Sequence, residues 1–317
     1  MILPKVIYNT STYAGILLVL LMLALSLCSG EIVKDSPAAA KSYDYADSSF
    51  ITTAEWLSQH RNDSSVVIVD ARGESAYDNG HIPGAIASEW QEYADMSGSP
   101  DDTGYAELRP TAEIVAILAA KGISPDRTVV VYGDADEAWG EDGHLVWLLR
   151  MHGVTSARLL DGGFPFWKDQ GYETTREATQ PRPVDPWPVE VDSSWGASTQ
   201  YLAAGLDTLQ IVDSRSEREY NGATPYGEAR GGHIPGAVHI HFEELYADDG
   251  RFLSQDELVA LFESEGVAAD RTIVAYCTGG VRSGVMAVVL RMAGYAQARN
   301  YDGSFWAWAA DESLPLE

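Results

Sequence analysis

Five short blocks occur twice in the sequence, in the same order. The five blocks are an Asp-x-Arg strand end, a Gly-His-Ile-Pro-Gly-Ala turn, a run ending in tyrosine, a Leu-Arg-Met-x-Gly helix end and an Asp-Gly-x-Phe segment followed by tryptophan. The first copies lie at 66–72, 80–85, 128–132, 148–153 and 161–167, and the second copies at 209–215, 232–237, 272–276, 289–294 and 302–308. Five matched blocks in one order indicate a duplicated domain.

Each copy alternates short apolar runs with helical stretches, for example at 112–121 and 254–265. This alternation predicts an α/β fold in which helices cover both faces of a parallel sheet. A length of 317 residues suits two such domains, and 45% hydrophobic residues suffice for a core in each.

Changes in composition predict the boundaries. Residues 50–178 form the first domain and 192–317 the second. The linker at 179–191 contains four prolines, whose density excludes a helix or an inner strand. Residues 31–49, rich in Ala, Ser and Asp, are predicted to be a flexible tether.

A cysteine stands where a buried strand meets a helix. The run 272–276 leads into Cys277, and an apolar helical pattern at 285–292 follows the turn. Glycines permit a tight turn there, so backbone N–H groups and the helix N-terminus can face one point. Such a point stabilises an anion, and a thiolate is the reactive form of cysteine. Candidate ligand contacts in this loop are Thr278, Gly279, Gly280, Val281, Arg282 and Ser283.

The blocks and this loop together resemble the rhodanese family of sulfurtransferases, in its tandem two-domain form. The resemblance covers roughly residues 50–312. It implies two rhodanese-like α/β domains with about five parallel strands each, of which the second is catalytic and the first is degenerate. It implies no cofactor and no metal ligands.

The resemblance also implies a reaction. Cys277 would take a sulfane sulfur from thiosulfate or 3-mercaptopyruvate as a persulfide and pass it to cyanide or a thiol. The loop amides would hold the persulfide, and Arg282 would hold the anionic part of the donor. The matching position makes Arg215 a candidate substrate contact, with a structural ion pair to Asp213 as the alternative. His233, which has a twin in His81, is interpreted as a turn-stabilising residue.

The first domain lacks the nucleophile, because Gly133 follows its strand. The loop that comes next, 134–143, contains five carboxylates, and its spacing matches no known calcium loop. It is expected to be a solvated acidic loop. In the last repeated block of the second domain, Trp306 is expected to wall the cleft and Trp308 to belong to the core.

Two other functions stay open. A cysteine-based phosphatase shares this fold, but it places five residues between cysteine and arginine, whereas four separate Cys277 from Arg282. A non-catalytic persulfide carrier would use the same residues as the enzyme, so the sequence does not separate the two.

A net charge of −26 argues against nucleic acid and anionic membrane surfaces as partners. The expected partners are a small anionic sulfur donor and a thiol or cyanide acceptor. A membrane contact is expected only through the N-terminal segment or a lipid attached to it. Residues 1–30 combine Lys5 with an apolar run at 16–27, which is typical of a signal peptide or lipoprotein signal. Cys28 is the lipidation candidate, which predicts an exported protein, periplasmic or anchored as a lipoprotein.

Overall fold

Two five-stranded parallel sheets form the centres of the two halves, in a computed structural model that describes residues 44–135 and 138–317. In the first sheet the strand order is β1-β5-β4-β2-β3, and in the second it is β6-β10-β9-β7-β8. The strands are β1 Ile51–Thr52, β2 Val66–Asp70, β3 Ala85–Ala87, β4 Thr128–Tyr132, β5 Arg158–Leu160, β6 Gly196–Ala197, β7 Gln210–Asp213, β8 Ala237–His239, β9 Ile273–Tyr276 and β10 Ala298–Tyr301. The predicted α/β fold with two duplicated domains is confirmed.

Ten α-helices in the described ranges pack against these sheets. The central strands β4 and β9 are buried on both faces, which explains their unbroken apolar sequences. The helices are α1 Ala54–His60, α2 Glu74–Asn79, α3 Thr111–Ala120, α4 Glu141–Met151, α5 Gly163–Asp169, α6 Thr199–Ala204, α7 Glu217–Tyr220, α8 Gln255–Ser264, α9 Val281–Met292 and α10 Ser304–Ala310. The two helices predicted at 112–121 and 254–265 end within one residue of α3 and α8.

Helices α4 and α9 join the two halves. A Cβ placed on Gly143 would lie 2.5 Å from Val285 Cα, and one on Gly284 would lie 2.8 Å from His144 Cα. Gly143 and Gly284 occupy equivalent positions in the two copies, so each helix offers its glycine to the other at a close crossing. This crossing brings the N-termini of both helices, and the loops before them, to one region of the molecule.

The segments predicted to flank the first domain, a linker and a tether, differ in how well they match the structure. Residues 179–191, the predicted proline-rich linker, contain no helix or strand. The predicted tether at 31–49, however, overlaps structured residues. Tyr45 is buried and donates a hydrogen bond to the Leu253 carbonyl oxygen, and Asp47 caps the turn that begins at Ser48. A buried ring and a capped turn therefore fix the chain before residue 50.

The segment predicted to direct export, 1–30, lies outside the described residues. Within the described ranges, no helix has both the length and the apolar character needed to cross a bilayer.

Candidate active site

Cys277 lies directly after β9, at the carboxyl edge of the second sheet, and four residues before α9. Its residue is only 1% exposed, yet it lines a cavity of about 230 Å³. It is a free cysteine. Carboxyl ends of parallel strands are where this fold class gathers its ligand sites, so the position matches the prediction.

The loop after Cys277 directs its carbonyl groups away from the site. The N–H groups of Phe305 and Trp306 donate to the carbonyl oxygens of Cys277 and Thr278, at 3.0 and 2.9 Å. The Asn300 side chain donates to the Gly280 carbonyl oxygen at 3.0 Å. Gly280 adopts a φ of 82°, which lets the chain reverse into α9.

This arrangement leaves donors free. From Thr278 to Ser283, six consecutive backbone N–H groups have no acceptor among residues 44–135 and 138–317. The Ser283 hydroxyl is also buried without a partner in those ranges. Successive free N–H groups at the start of a twelve-residue helix form a cradle for an anion, which a thiolate or persulfide on Cys277 would satisfy.

Ser304 fixes the backbone at Cys277. Its hydroxyl accepts a hydrogen bond from the Cys277 N–H at 3.1 Å and donates one to the Tyr301 carbonyl oxygen at 2.6 Å. Ser304 has a φ of 48°, a left-handed conformation that costs energy for a residue with a Cβ. The equivalent residue of the first half is Gly163, which has a similar φ of 56° and no Cβ.

Arg282 is held by a buried carboxylate that the sequence analysis missed. Both guanidinium ends contact Glu219, at 2.9 and 2.7 Å, and Nη2 also donates to the Thr278 hydroxyl at 2.6 Å. The Thr278 hydroxyl in turn donates to Glu219 at 2.7 Å. The Arg282 fork therefore binds inside the protein, to the loop and to α7.

The pKa values agree with a stable ion pair. Burial alone raises the pKa of Glu219, but the hydrogen bonds and charge of Arg282, with help from Ser216 and Thr278, outweigh it and lower this pKa to about 2. Burial acts to lower the pKa of Arg282, and Glu219 together with Cys277 raises it above its usual value. Both groups are charged at neutral pH, so the pair adds no net charge to the site.

Arg215 does not lie at the cavity, contrary to its prediction as a substrate contact. It is fully buried, forms two-point hydrogen bonds to Asp213 and donates to the Gly232 carbonyl oxygen at 2.8 Å. Its guanidinium lies 3.8 Å from the centre of the Phe305 ring. The structural ion pair, which was the alternative, describes the position that Arg215 occupies.

Aromatic side chains from both halves wall the cavity. Trp306 lies over the loop, so close that a Cβ on Gly279 would be 2.2 Å from its ring. It also contacts Tyr105 edge to face, with ring centres 5.1 Å apart. Residues that line the cavity are Trp90, Pro100, Tyr105 and Trp139 from the first half, and Tyr226, Cys277, Thr278, Gly279, Val281, Arg282 and Trp306 from the second. The site is thus shared between the domains.

Tyr226 comes from an insertion. Nineteen positions separate Asp213 from Gly232, whereas ten separate the equivalent Asp70 from Gly80. Arg230 fixes this extra loop by donating to four carbonyl oxygens of the C-terminal segment, at 2.6–3.0 Å. Comparing the lengths of the two copies would have pointed to this loop.

The first half keeps the loop but fills it. A Cβ on Gly133 would lie 3.0 Å from the carboxyl carbon of Asp142, so a carboxyl group occupies the place of a nucleophile's side chain. Asp142 is buried, and burial raises its pKa to about 7. The prediction of a solvated acidic loop is therefore wrong for Asp142, because the start of α4 draws this side chain inward.

The remaining predicted residues are placed as follows. Thr278, Gly279, Val281 and Arg282 line the cavity with Cys277, whereas Gly280 and Ser283 shape the loop without lining it. His233 stacks on Tyr220 and bonds its carbonyl oxygen at 3.1 Å, in keeping with a turn-stabilising role. In the described part of the chain, no three His, Cys, Asp or Glu residues are grouped so that they could hold a metal. Cys28 lies outside the described residues.

The model of the rhodanese-like domain matches the chain twice, over residues 53–170 and 198–311. The chain belongs to the rhodanese-like family. Together with the names of its relatives, the double match shows a tandem rhodanese-type sulfurtransferase, an enzyme.

Three relatives illustrate the range of names. SseA of Mycobacterium bovis, provisionally named a thiosulfate sulfurtransferase, is 33% identical over 86% of this chain and 92% of its own length. The sulfur carrier protein TtuD of Thermus thermophilus is 31% identical over 86% of this chain and 98% of its own. The 3-mercaptopyruvate sulfurtransferase of Escherichia coli is 29% identical over 83% of this chain and 96% of its own.

Among solved structures, this rhodanese-type chain is similar to an anaerobic ergothioneine biosynthesis enzyme from Chlorobium limicola in complex with trimethyl histidine. The TM-score is 0.76 at 23% identity, over 85% of this chain and 70% of the other. At that identity the likeness concerns the fold.

Proposed function

We propose that the enzyme moves a sulfane sulfur through a persulfide on Cys277. The observation that carries this proposal is the set of six free N–H groups from Thr278 to Ser283, which follow Cys277 and have no acceptor in the described ranges. They supply the hydrogen bonds that a sulfur anion needs when it is out of water.

In the first half-reaction, the Cys277 thiolate attacks the outer sulfur of thiosulfate. A new S–S bond forms, the S–S bond of the donor breaks, and sulfite leaves with the electron pair. With 3-mercaptopyruvate, the C–S bond breaks instead, and pyruvate leaves after its carbon takes a proton. No oxidant is needed in either case.

In the second half-reaction, cyanide or a thiolate attacks the outer sulfur of the persulfide. The bond between the two sulfurs breaks, and its electron pair returns to Cys277. The loop N–H groups hold negative charge in both resting forms, so they need not rearrange between the two steps.

Arg282 acts in this account by holding the loop. Because its fork already binds Glu219 and Thr278, it offers less to the donor than the sequence suggested. This pairing also disfavours the phosphatase alternative, since phosphoryl transfer relies on an arginine fork that is free to bind phosphate.

Steady-state turnover with cyanide, using thiosulfate and 3-mercaptopyruvate in parallel, tests the proposal and chooses the donor. We expect multiple turnovers with at least one donor and none in the Cys277→Ser variant. A persulfide that forms but turns over only once would favour the carrier alternative, in keeping with the name of the Thermus thermophilus relative.

We also propose that residues 1–30 export the protein, on the basis of the apolar run at 16–27. In a bacterial host, we expect a mature protein that begins at or near Cys28 and is membrane-associated or periplasmic. Cys28→Ala should release the protein from the membrane if Cys28 is lipidated. A full-length chain found in the cytosol would contradict export.

A further inference from the structure

We infer that the mouth of the cavity selects a thiol acceptor that carries an organic cation, such as an ammonium group. This inference rests on the proposed persulfide and names the class of molecule that discharges it. At two of the places where the halves of the chain differ in length, the longer copy contributes an aromatic ring to the mouth.

The first of these rings is Trp139, in a loop that is longer in the first half, where Tyr132 and Arg150 are 18 positions apart and the equivalent residues of the second half are 15 apart. The second is Tyr226, in the insertion of the second half. They meet edge to face, with ring centres 5.3 Å apart. Both are partly exposed, at 46% and 36%. Behind them lie Trp90, Tyr105 and Trp306, so five aromatic rings line a cavity of about 230 Å³.

The charges at the site sum to a negative value once sulfur is loaded. Arg282 is the one charged side chain lining the cavity, as far as the described residues show, and Glu219 neutralises it at 2.7–2.9 Å. A persulfide on Cys277 adds one negative charge. An anionic acceptor would meet this charge without a free cation to compensate it.

A carboxylate binds the backbone of each of the two residues that supply the mouth rings. The backbone N–H of Trp139 donates to Glu141 at 2.8 Å, and the backbone N–H of Tyr226 donates to Glu228 at 2.9 Å. Glu228 is buried, and its second oxygen has no hydrogen-bond partner within 44–135 and 138–317. Two carboxylates are therefore close in the chain and hydrogen-bonded to the segments that carry the mouth rings.

Aromatic faces and carboxylates attract the same kind of ligand. The faces of Trp and Tyr rings carry partial negative charge and hold organic cations by cation–π contact. Tyr226 already makes one cation–π contact, since the Arg282 guanidinium lies 5.8 Å from its ring centre. A net charge of −26 for the chain would further favour approach of a cation.

The transfer itself is balanced. The acceptor thiolate attacks the outer sulfur, a new S–S bond forms on the acceptor, and the bond to the Cys277 sulfur breaks. The electron pair stays on Cys277 as thiolate. The cationic group takes no part in bond making and serves to hold the acceptor at the mouth.

Discharge of preformed persulfide to three matched thiols tests the inference. Thiocholine is cationic, 3,3-dimethylbutane-1-thiol is its neutral isostere, and 2-mercaptoethanesulfonate is anionic. Rates are compared per thiolate, at low and high salt. We expect thiocholine to react about two- to thirtyfold faster than the neutral isostere, the range of a cation–π contact, and the sulfonate to react slowest. The preference should largely survive high salt, whereas an effect of net charge alone would vanish.

Variants locate the preference. Trp139→Leu should remove most of it, because leucine keeps apolar surface but has no π face, and Trp139→Phe should restore part. The matched control is Tyr201→Leu, which alters a ring of similar exposure, 40%, that does not line this cavity. The control should keep the full preference.

A second arm does not need the persulfide. Tetramethylammonium should slow the alkylation of Cys277 by iodoacetamide more than sodium does at equal ionic strength, and this protection should be lost in Trp139→Leu. Equal rates for thiocholine and its isostere, or a preference for the sulfonate, would overturn the inference while persulfide formation stood. Absence of persulfide would instead refute the proposed function, and absence of protection would then refute the cation site separately.

Discussion

The same interactions anchor the end of the second strand in each half, β2 and β7. The residues that follow the central strands, β4 and β9, differ between the halves. In each half, an arginine two residues after a buried aspartate binds it with both ends, reaches a glycine carbonyl oxygen and stacks on a phenylalanine 3.8 Å away. The matched sets are Asp70, Arg72, Gly80 and Phe164 in the first half, and Asp213, Arg215, Gly232 and Phe305 in the second. Because the first half has this set but has Gly133 in place of Cys277, the shared set serves the fold.

The differences fall around the cavity. Cys277 replaces Gly133, Ser304 replaces Gly163, and Glu219 stands where the first half has Ala76. In a duplicated protein with one degenerate half, the residues that differ are thus better guides to chemistry than the residues that are shared. Four predictions test this difference between the halves.

The largest expected effect concerns Glu219. Glu219→Ala leaves the buried Arg282 charge unpaired, and we expect the free energy of unfolding to fall by about 3–5 kcal/mol. Urea unfolding measures this change. The double variant Glu219→Ala/Arg282→Ala should recover part of the loss, since no charge is then stranded. The control is Glu173→Ala, which breaks an exposed pair with Arg61 and should cost at most about 1 kcal/mol.

The same variants report on activity. In the proposed function Arg282 holds the loop, so Arg282→Ala should slow persulfide formation and discharge alike in single-turnover experiments. A loss confined to the first half-reaction would show instead that Arg282 binds the donor. A stable Glu219→Ala protein without activity would place Glu219 in the chemistry.

The second prediction concerns Asp142, which fills the first half's loop. Its pKa is raised to about 7 by burial, so its stabilising contribution is complete below its unfolded pKa and is lost as the pH rises through about 7. Asp142→Asn should therefore gain stability relative to wild type between pH 5 and pH 8, on the order of 2 kcal/mol. Urea unfolding at both pH values measures it, with the exposed Glu113→Gln as control. A pH-independent difference would contradict the buried carboxyl.

Ser304 should give a smaller effect. Ser304→Gly relieves the left-handed strain, as Gly163 does in the first half, but removes the hydrogen bond to the Cys277 N–H. We expect the fold to persist and catalytic efficiency to fall by about three- to tenfold, the loss of roughly one hydrogen bond. Single-turnover persulfide formation gives the value. An unchanged rate would mean that the serine does not position the nucleophile.

The smallest effect is expected from Gly133→Cys. A cysteine side chain there would meet the Asp142 carboxyl group, and no counterpart of Glu219 stands in the first half. We expect no persulfide on that residue after thiosulfate treatment, by peptide mass mapping in a Cys277→Ser background. A persulfide at position 133 would show that the missing cysteine alone accounts for the lack of a sulfur site in the first half.

Much of this account could be predicted from local pattern. Buried apolar strands, helical stretches and the duplicated blocks predict two parallel sheets, and a cysteine between a strand and a helix predicts the proposed nucleophile. The sequence also predicted that Trp306 walls the cleft and that Trp308, which is fully buried, belongs to the core.

The rest depended on contacts between distant parts of the chain. Glu219 lies 63 residues before Arg282, and Trp139 belongs to the other half, so neither spacing nor periodicity reports that they reach the loop. Arg215 was ambiguous for a related reason: an Asp-x-Arg pattern is equally compatible with a ligand contact and with an internal ion pair. Burial decides between them, and burial is a property of the packed structure.

The most direct test of the central claim is the mass of the Cys277 peptide after brief treatment of the intact enzyme with thiosulfate or 3-mercaptopyruvate. The account predicts one added sulfur atom on Cys277, formed at least as fast as turnover and removed by cyanide as one equivalent of thiocyanate. A Cys277 peptide that stays unmodified while turnover proceeds would contradict it.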